Sequence, residues 1–135
     1  MPEWVTTAYD DYTRRMRKHM RIDLEEIPVG RAKADEEKRL LALLGDDYLV
    51  ALDEHGKSLT TLQLARWLAE RQQDGRNLAF VIGGPNGHGP AILVKANLRW
   101  SLSALTFPHA MVRVILAEQL YRAHSVLQNH PYHRE

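Results

Sequence analysis

The groups best suited to chemistry lie at the end of the chain. Asn129-His130-Pro131-Tyr132-His133-Arg134-Glu135 closes it on imidazole, phenol, guanidinium and carboxylate groups. Chain ends are usually poorly ordered unless something ties them down, so a terminus of this composition reads as part of a site. His130 and His133 form an H-x-x-H pair, with His124 and His109 upstream. A metal needs several well-placed ligands. Pro131 interrupts any helix that would align the pair, and no cysteine or carboxylate cluster completes the set, so no metal is expected. The absence of cysteine also removes thiolate chemistry, and no Ser-His-Asp order or nucleophile elbow is recognisable.

Two loops add to the tail. Ser101-Leu102-Ser103-Ala104-Leu105-Thr106-Phe107-Pro108-His109 places small polar residues between leucines. Such a segment reads either as an irregular edge strand or as a loop that surrounds an adenine with main-chain hydrogen bonds. Gly83-Gly84-Pro85-Asn86-Gly87-His88-Gly89-Pro90 follows the apolar run Leu78–Ile82 and leads into a helix. Ligands commonly bind where strand carboxyl ends and helix amino ends meet. Neither familiar nucleotide fingerprint is present. Pro90-Ala91 replaces the Lys and Ser/Thr of a P-loop, and Ile92 stands where the third glycine of G-x-G-x-x-G belongs. The turn is therefore either structural or a close backbone approach to a flat ligand.

The elements that must hold these groups follow from apolar spacing. Trp4, Ala8, Tyr12 and Met16, with Val5 and Tyr9 alongside, predict an amphipathic helix over about residues 2–19. Ile22, Leu24 and Ile27 suggest a short strand ended by Pro28 and Gly30. Leu40, Leu41, Leu43 and Leu44 form a helix stopped by Gly45. Tyr48–Leu52 reads as a buried strand broken at His55-Gly56. Thr60 or Thr61 caps a helix carrying Leu62, Leu64, Ala65, Trp67 and Leu68, which ends at Asp74-Gly75. Leu78–Ile82 is the clearest buried strand. Pro90 is the first residue of a helix holding Ile92, Leu93, Ala96 and Leu98. A short strand near 101–106 and a helix over 110–127 complete the chain. Continuously apolar strands alternating with helices predict an α/β fold, a mainly parallel sheet flanked by helices. The last helix is apolar on more than one stripe, which makes it a central core helix or a subunit interface. Glu118 and Arg122 sit i,i+4 on it, and Arg113 and His124 share a face three turns apart.

Composition sets the frame. With 135 residues, 44% hydrophobic and 26% charged, the chain is expected to form one soluble domain over 1–135. No apolar run approaches the ~20 residues of a membrane span. The start Met1-Pro2-Glu3-Trp4 lacks a secretory pattern, so a cytoplasmic location and no membrane partner are expected. The net charge of +1 hides a basic cluster, Arg14, Arg15, Arg17, Lys18 and Arg21, followed by Arg31 and Lys33. That cluster is either a solvated helix end, where cations also complement the helix dipole, or a phosphate-contacting patch.

These residues together resemble a known family. Leu78–Gly84, Trp100–His109, Arg113 through Glu118-Gln119-Leu120-Tyr121-Arg122-Ala123, and Asn129–Glu135 closely resemble the ribosomal RNA large subunit methyltransferase H family. That family falls in the SPOUT class of knotted, S-adenosylmethionine-dependent RNA methyltransferases. The resemblance extends over nearly the whole chain from Met1-Pro2-Glu3-Trp4 onward. It implies a parallel sheet with a C-terminal trefoil knot, a homodimer, and methylation of N3 of a pseudouridine in 23S ribosomal RNA on the assembled ribosome. S-adenosyl-L-methionine would lie among three loops, at Leu52 (within Leu52-Asp53-Glu54-His55-Gly56), at Gly83 and Gly84, and along Leu102, Ser103, Ala104, Leu105, Thr106 and Phe107.

The implied reaction is in-line methyl transfer with no covalent intermediate, in keeping with the absent cysteine. N3 must lose a proton, so a base or an anion stabiliser is useful. By chemistry, His109, His133 and the terminal carboxylates are candidate bases, Arg122 or Arg134 would stabilise the anion, and Tyr132 would stack on the target base. A helix-cap contact is the structural alternative for His109. The chain departs from the family pattern in three places. The apolar strand that opens the family before Met-Pro-x-Trp is missing here; either the natural start lies upstream of Met1 or the protein lacks the strand, which would leave sheet backbone unpaired. The basic loop around Gly30-Arg31-Ala32-Lys33 is shortened. Asn86 and His88 stand where the family has a glutamate and an apolar residue. Two other functions fit the same fold, a non-catalytic ribosome- or RNA-binding module and a SPOUT enzyme acting on transfer RNA.

Overall fold

Alternating side chains decide which way the central strand faces. In a computed structural model that describes residues 2–27, 33–83 and 87–134, β1 (Tyr48–Ser58) lies between β2 (Leu78–Ile82) and β3 (Leu98–Ser101). Both neighbours run parallel to β1, with Leu52 opposite Ile82 on one side and Trp100 on the other. Successive side chains of a strand point to opposite faces. Val50 and Trp100 enter one core with Met16, Leu64, Leu68, Leu116 and Leu120, while Leu49, Ala51 and Val81 enter a second with Leu44 and Ile92.

The helices supply those partners. α1 (Glu3–Met16), α3 (Thr61–Asp74) and α5 (His109–Leu127) cover the first face; α2 (Lys33–Leu44) and α4 (Pro90–Lys95) cover the second. The sheet is therefore sandwiched between helices, as the apolar strand runs predict. On the first face Tyr48, Trp67, Phe80 and Trp100 form a column of edge-on rings, with neighbouring centroids 5.9–6.2 Å apart. Edge-to-face contacts of this kind suit the quadrupoles of aromatic rings.

Local signals set most boundaries. Thr60 caps α3, its hydroxyl accepting from the Gln63 N–H at 3.1 Å while the Gln63 side chain accepts from the Thr60 N–H at 2.9 Å. Gly75 ends that helix at φ 73°. Pro90 is the first residue of α4, where its missing N–H costs nothing.

Four boundaries differ from expectation. The segment 22–27 forms no strand; Arg113 Nη1 instead holds Glu26 Oε1 at 2.8 Å and draws this stretch onto α5. Leu98 lies in β3 rather than α4. Asn97 is the reason: its N–H donates to Leu49 O at 2.8 Å and its side-chain oxygen accepts from Leu49 N–H at 2.9 Å. That two-way clasp stops the helix and starts the strand. β3 consequently ends at Ser101, and 102–106 is a loop, not a strand. β1 continues past Leu52 to Ser58, because the chain re-pairs with β3 at Lys57 and Ser58 after an irregularity. His55-Gly56 bends the strand without ending it. The shortened basic loop at Gly30–Ala32 lies outside the described residues, as do Gly84 and Asn86.

His124 is the buried polar group with a consequence for stability. It is 5% exposed, its Nδ1 has no partner, and its ring centroid lies 4.9 Å from that of His19. Burial, and secondarily the His19 charge, lowers its pKa below the ordinary 6.5. The folded protein thus holds His124 neutral, while the unfolded chain protonates it near pH 6.5. Its contribution is present above that pH and is lost as pH falls through 6.5 toward the lower folded value. The urea midpoint is expected to be lower at pH 5.5 than at pH 7.5, and His124→Phe should reduce that difference.

Candidate functional site

Loops leave the sheet at the carboxyl ends of β2 and β3, and side chains tie both to the bend of β1 past Leu52, the first of three looped segments. After Leu52 the chain turns through Asp53-Glu54-His55-Gly56; after Ile82 it enters the glycine turn; after Ser101 it enters 102–108. His88 Nε2 lies 2.7 Å from the Leu52 carbonyl oxygen, which joins the first loop to the second. Thr106 Oγ1 donates to Glu54 Oε2 at 3.0 Å, which joins the third to the first. Gly83 is tightly enclosed, since an added Cβ would stand 3.1 Å from the Gly87 carbonyl carbon and 3.3 Å from His88 Cε1. Leu52, Gly83 and Thr106 are thus brought into one group of loops.

The third loop is shaped by its own hydroxyls. Ser101 Oγ donates to Ser103 O at 2.9 Å, and Ser103 Oγ accepts from the Leu105 N–H at 3.0 Å. These serines hold the loop's curve. Leu102, Ser103 and Phe107 are half-buried, Ala104 and Thr106 are exposed, and Leu105 is 70% exposed with no apolar cover. His109 opens α5 in an exposed position. The cap position falls on Pro108, which offers no side-chain cap bond, so His109 does not serve as the cap.

The tail makes a second cluster. Pro131–Arg134 is a short 3-10 turn that folds back on α5. Its Tyr132 hydroxyl lies 3.2 Å from both Glu118 Oε1 and the Tyr12 hydroxyl. The carboxylate is the stronger acceptor, so Tyr132 donates to Glu118 and accepts from Tyr12. Arg122 Nε donates to the same Glu118 oxygen at 2.8 Å and its guanidinium stands 5.1 Å from the Tyr132 ring centroid. Tyr121 packs edge-on against Tyr132 at 4.6 Å, and Arg15 lies 5.5 Å from the Tyr121 centroid. Burial foremost, then the Tyr12 hydroxyl and the Glu118 charge, drives the Tyr132 pKa far above the ordinary phenol value. Tyr132 therefore stays a neutral hydrogen-bond donor. Glu118 likewise raises the pKa of Arg122, which keeps it a cation. Glu135 and the side chains of His133 and Arg134 lie outside the described residues.

Among the described residues the two clusters lie apart within one chain. Glu118 is nine residues beyond His109 on α5, about 13 Å along the axis at ~1.5 Å per residue. An open groove of about 720 Å³ beside Trp4, Thr7, Asp11 and Arg14 on α1 shares no residue with either cluster. The basic run near the end of α1 is partly neutralised, since Asp11 pairs with Arg14 and Arg15, and Asp23 with Arg21.

Sequence reasoning missed Tyr12, Glu54 and His88. Tyr12 sits on a stripe indistinguishable from core spacing, and the Glu118–Arg122 spacing signalled the pair without its tyrosine partner. Nothing in the sequence joined His88 to Leu52.

A parallel sheet flanked by helices, with a tail returned onto the last helix, describes an α/β protein. The chain belongs to the SPOUT methyltransferase family: the family model described as "Predicted SPOUT methyltransferase" matches residues 1–133. Its relatives place it more narrowly. The Ribosomal RNA large subunit methyltransferase H of Methylobacillus flagellatus is 50% identical over 144 residues, covering 100% of this chain and 93% of the relative. That of Alkalilimnicola ehrlichii is 50% identical over 143 residues, covering 99% and 92%. That of Paraburkholderia xenovorans is 49% identical over 144 residues, with the same coverage.

Proposed function

We propose that this chain is an S-adenosylmethionine-dependent methyltransferase of large-subunit (23S) ribosomal RNA, acting on N3 of a pseudouridine in the assembled ribosome. It works as a cytoplasmic homodimer of single SPOUT domains, each with its C-terminal segment threaded as a trefoil knot. The observation that carries this reading is the bend of β1 past Leu52 clasped to the loops that follow β2 and β3, in a chain about half identical to enzymes of that name.

The residues present fit the cofactor. Ser101 and Ser103 brace the 102–107 loop and Leu105 is left largely exposed, a surface suited to the flat face of an adenine. Gly83, where a Cβ would crowd Gly87 and His88, allows close backbone approach. Leu52, Gly83, Gly84 and Leu102–Phe107 are the residues that would hold it. When bound, the cofactor supplies an electrophilic methyl group on a sulfonium.

All other demands fall on the chain. The target base must be held in line, and good orientation alone can supply about 7–11 kcal/mol of the barrier. Tyr132, fixed by Tyr12, Glu118 and Tyr121, presents a preset aromatic ring to that end. Arg122, kept cationic over the Tyr132 ring, and Arg134 would stabilise the charge that develops as N3 loses its proton. The neutral phenol of Tyr132 excludes it as the base, leaving His109, His133 and the terminal carboxylates. Because His109 and Glu118, the residue that anchors Tyr132, lie nine residues apart on α5, the complete site takes loops from one protomer and the tail from its partner.

Calorimetry is expected to show S-adenosylmethionine binding to the purified protein, and labelled methyl is expected to enter 70S ribosomes rather than transfer RNA. A folded sample that binds no cofactor would sink this reading. Binding without transfer would favour a non-catalytic ribosome-binding module, and labelled transfer RNA a different substrate.

A further inference from the structure

We infer that His88 is a positioning residue of the cofactor site, setting the gap between the β1 and β2 loops through its bond to the Leu52 carbonyl. This rests on the cofactor reading above. β1 and β2 pair in register from Tyr48↔Leu78 to Leu52↔Ile82, and there the ladder ends. Beyond that point the chains diverge into the two loops. Gly87 makes an isolated backbone bridge there, and a further tie comes from a side chain.

His88 supplies it. Its Nε2 is 2.7 Å from Leu52 O. A carbonyl oxygen only accepts, so Nε2 carries the proton and donates. The imidazole thus extends the pairing by one side-chain bond at the last residue of the ladder. The same ring sits against Gly83: its Cε1 would be 3.3 Å from a Cβ there. One side chain therefore touches both strand ends that open the first two loops. The neighbouring third loop is tied to the first separately, through Thr106 and Glu54, so losing His88 loosens the first two loops relative to each other without releasing the third.

The bond is partly buried. A substitution that cannot donate leaves the Leu52 carbonyl without its side-chain partner, and an unmade bond of this kind costs on the order of a tenfold change in an equilibrium. That cost is expected in cofactor affinity, because binding must then also order the loosened pair of loops.

The test compares three variants of the full-length protein by calorimetry with S-adenosylmethionine. Gln places its amide nitrogen near the position of Nε2, whereas Asn matches only the nearer ring nitrogen and falls short of Leu52. His88→Leu and His88→Asn are expected to raise Kd about tenfold, and His88→Gln to stay within about threefold of wild type. In steady-state assays KM for the cofactor should rise in the first two while KM for ribosomes is unchanged. If the Leu variant does not fold, the Asn–Gln comparison decides. Leu and Asn variants that bind like wild type, or a Gln variant as weak as Asn, would overturn the role of His88 alone. Wild-type protein that binds no cofactor would overturn the function reading, and this inference with it.

Discussion

Deleting Tyr132–Glu135 is expected to lower methyl transfer at least about 100-fold, while S-adenosylmethionine affinity stays close to wild type. Tyr132 is the tail's main anchor among the described residues. Its hydroxyl joins Glu118 and Tyr12, and its ring packs between Tyr121 and the Arg122 guanidinium. Removing it frees Glu118 and Arg122 to reorient and takes away the preset ring that would hold the target base. A displacement of about 1 Å from a productive pose can itself cost two orders of magnitude in rate. The loops at Leu52, Gly83 and Leu102–Phe107 make none of these contacts, so cofactor binding should survive. Single-turnover transfer to ribosomes and calorimetry on the same preparation read the two effects separately. Near-normal turnover in the truncated protein would remove the tail from the site.

The second large effect concerns Gly56. Replacing it with alanine is expected to destabilise the fold by about 3 kcal/mol, lowering Tm by about 10 °C, and to weaken cofactor binding as well. A Cβ at residue 56 would stand 2.7 Å from the Arg99 carbonyl carbon and oxygen and 2.8 Å from the Trp100 nitrogen. These are backbone atoms of β3, and they cannot swing aside as a side-chain tip can. Either β3 shifts, disturbing the buried Trp100, or the 53–56 bend lifts away and carries Glu54 off Thr106. Gly45→Ala is the control: φ is 51°, yet nothing lies within 4 Å of the added carbon. It should cost only the ~1–2 kcal/mol of left-handed backbone strain. Thermal melts of the two variants side by side check the difference.

Much of this was legible in the sequence, and the failures share a cause. The α3 capping box, the Pro90 helix start and the buried run Leu78–Ile82 are local signals, and all three elements stand where those signals place them. The early start of β3 depends on Asn97 bonding to Leu49, 48 residues away. The continuation of β1 through Gly56 depends on the approach of β3. The segment 22–27 has apolar residues at strand spacing but takes a different partner through Glu26 and Arg113. Spacing reports what a segment can do, while a distant neighbour decides what it does.

The site divides in the same way. The tail and the 102–107 loop were visible because their residue types are unusual for a terminus and a turn. His88 and Tyr12 were not, since each acts through a contact that spans the chain: 36 residues from His88 to Leu52, and 120 from Tyr132 to Tyr12.

The packing of α1 against α5 has a consequence for synthesis. Val5 and Met16 are fully buried in the finished protein, and Tyr12 meets Tyr121 and Tyr132 from the last helix and tail. The first helix made is covered by the last. At ~5–20 residues per second, the nascent chain carries the apolar stripe of α1 uncovered for several seconds before its partner emerges. The tyrosine that steadies the tail therefore belongs to a helix that must wait for nearly the whole protein to be translated.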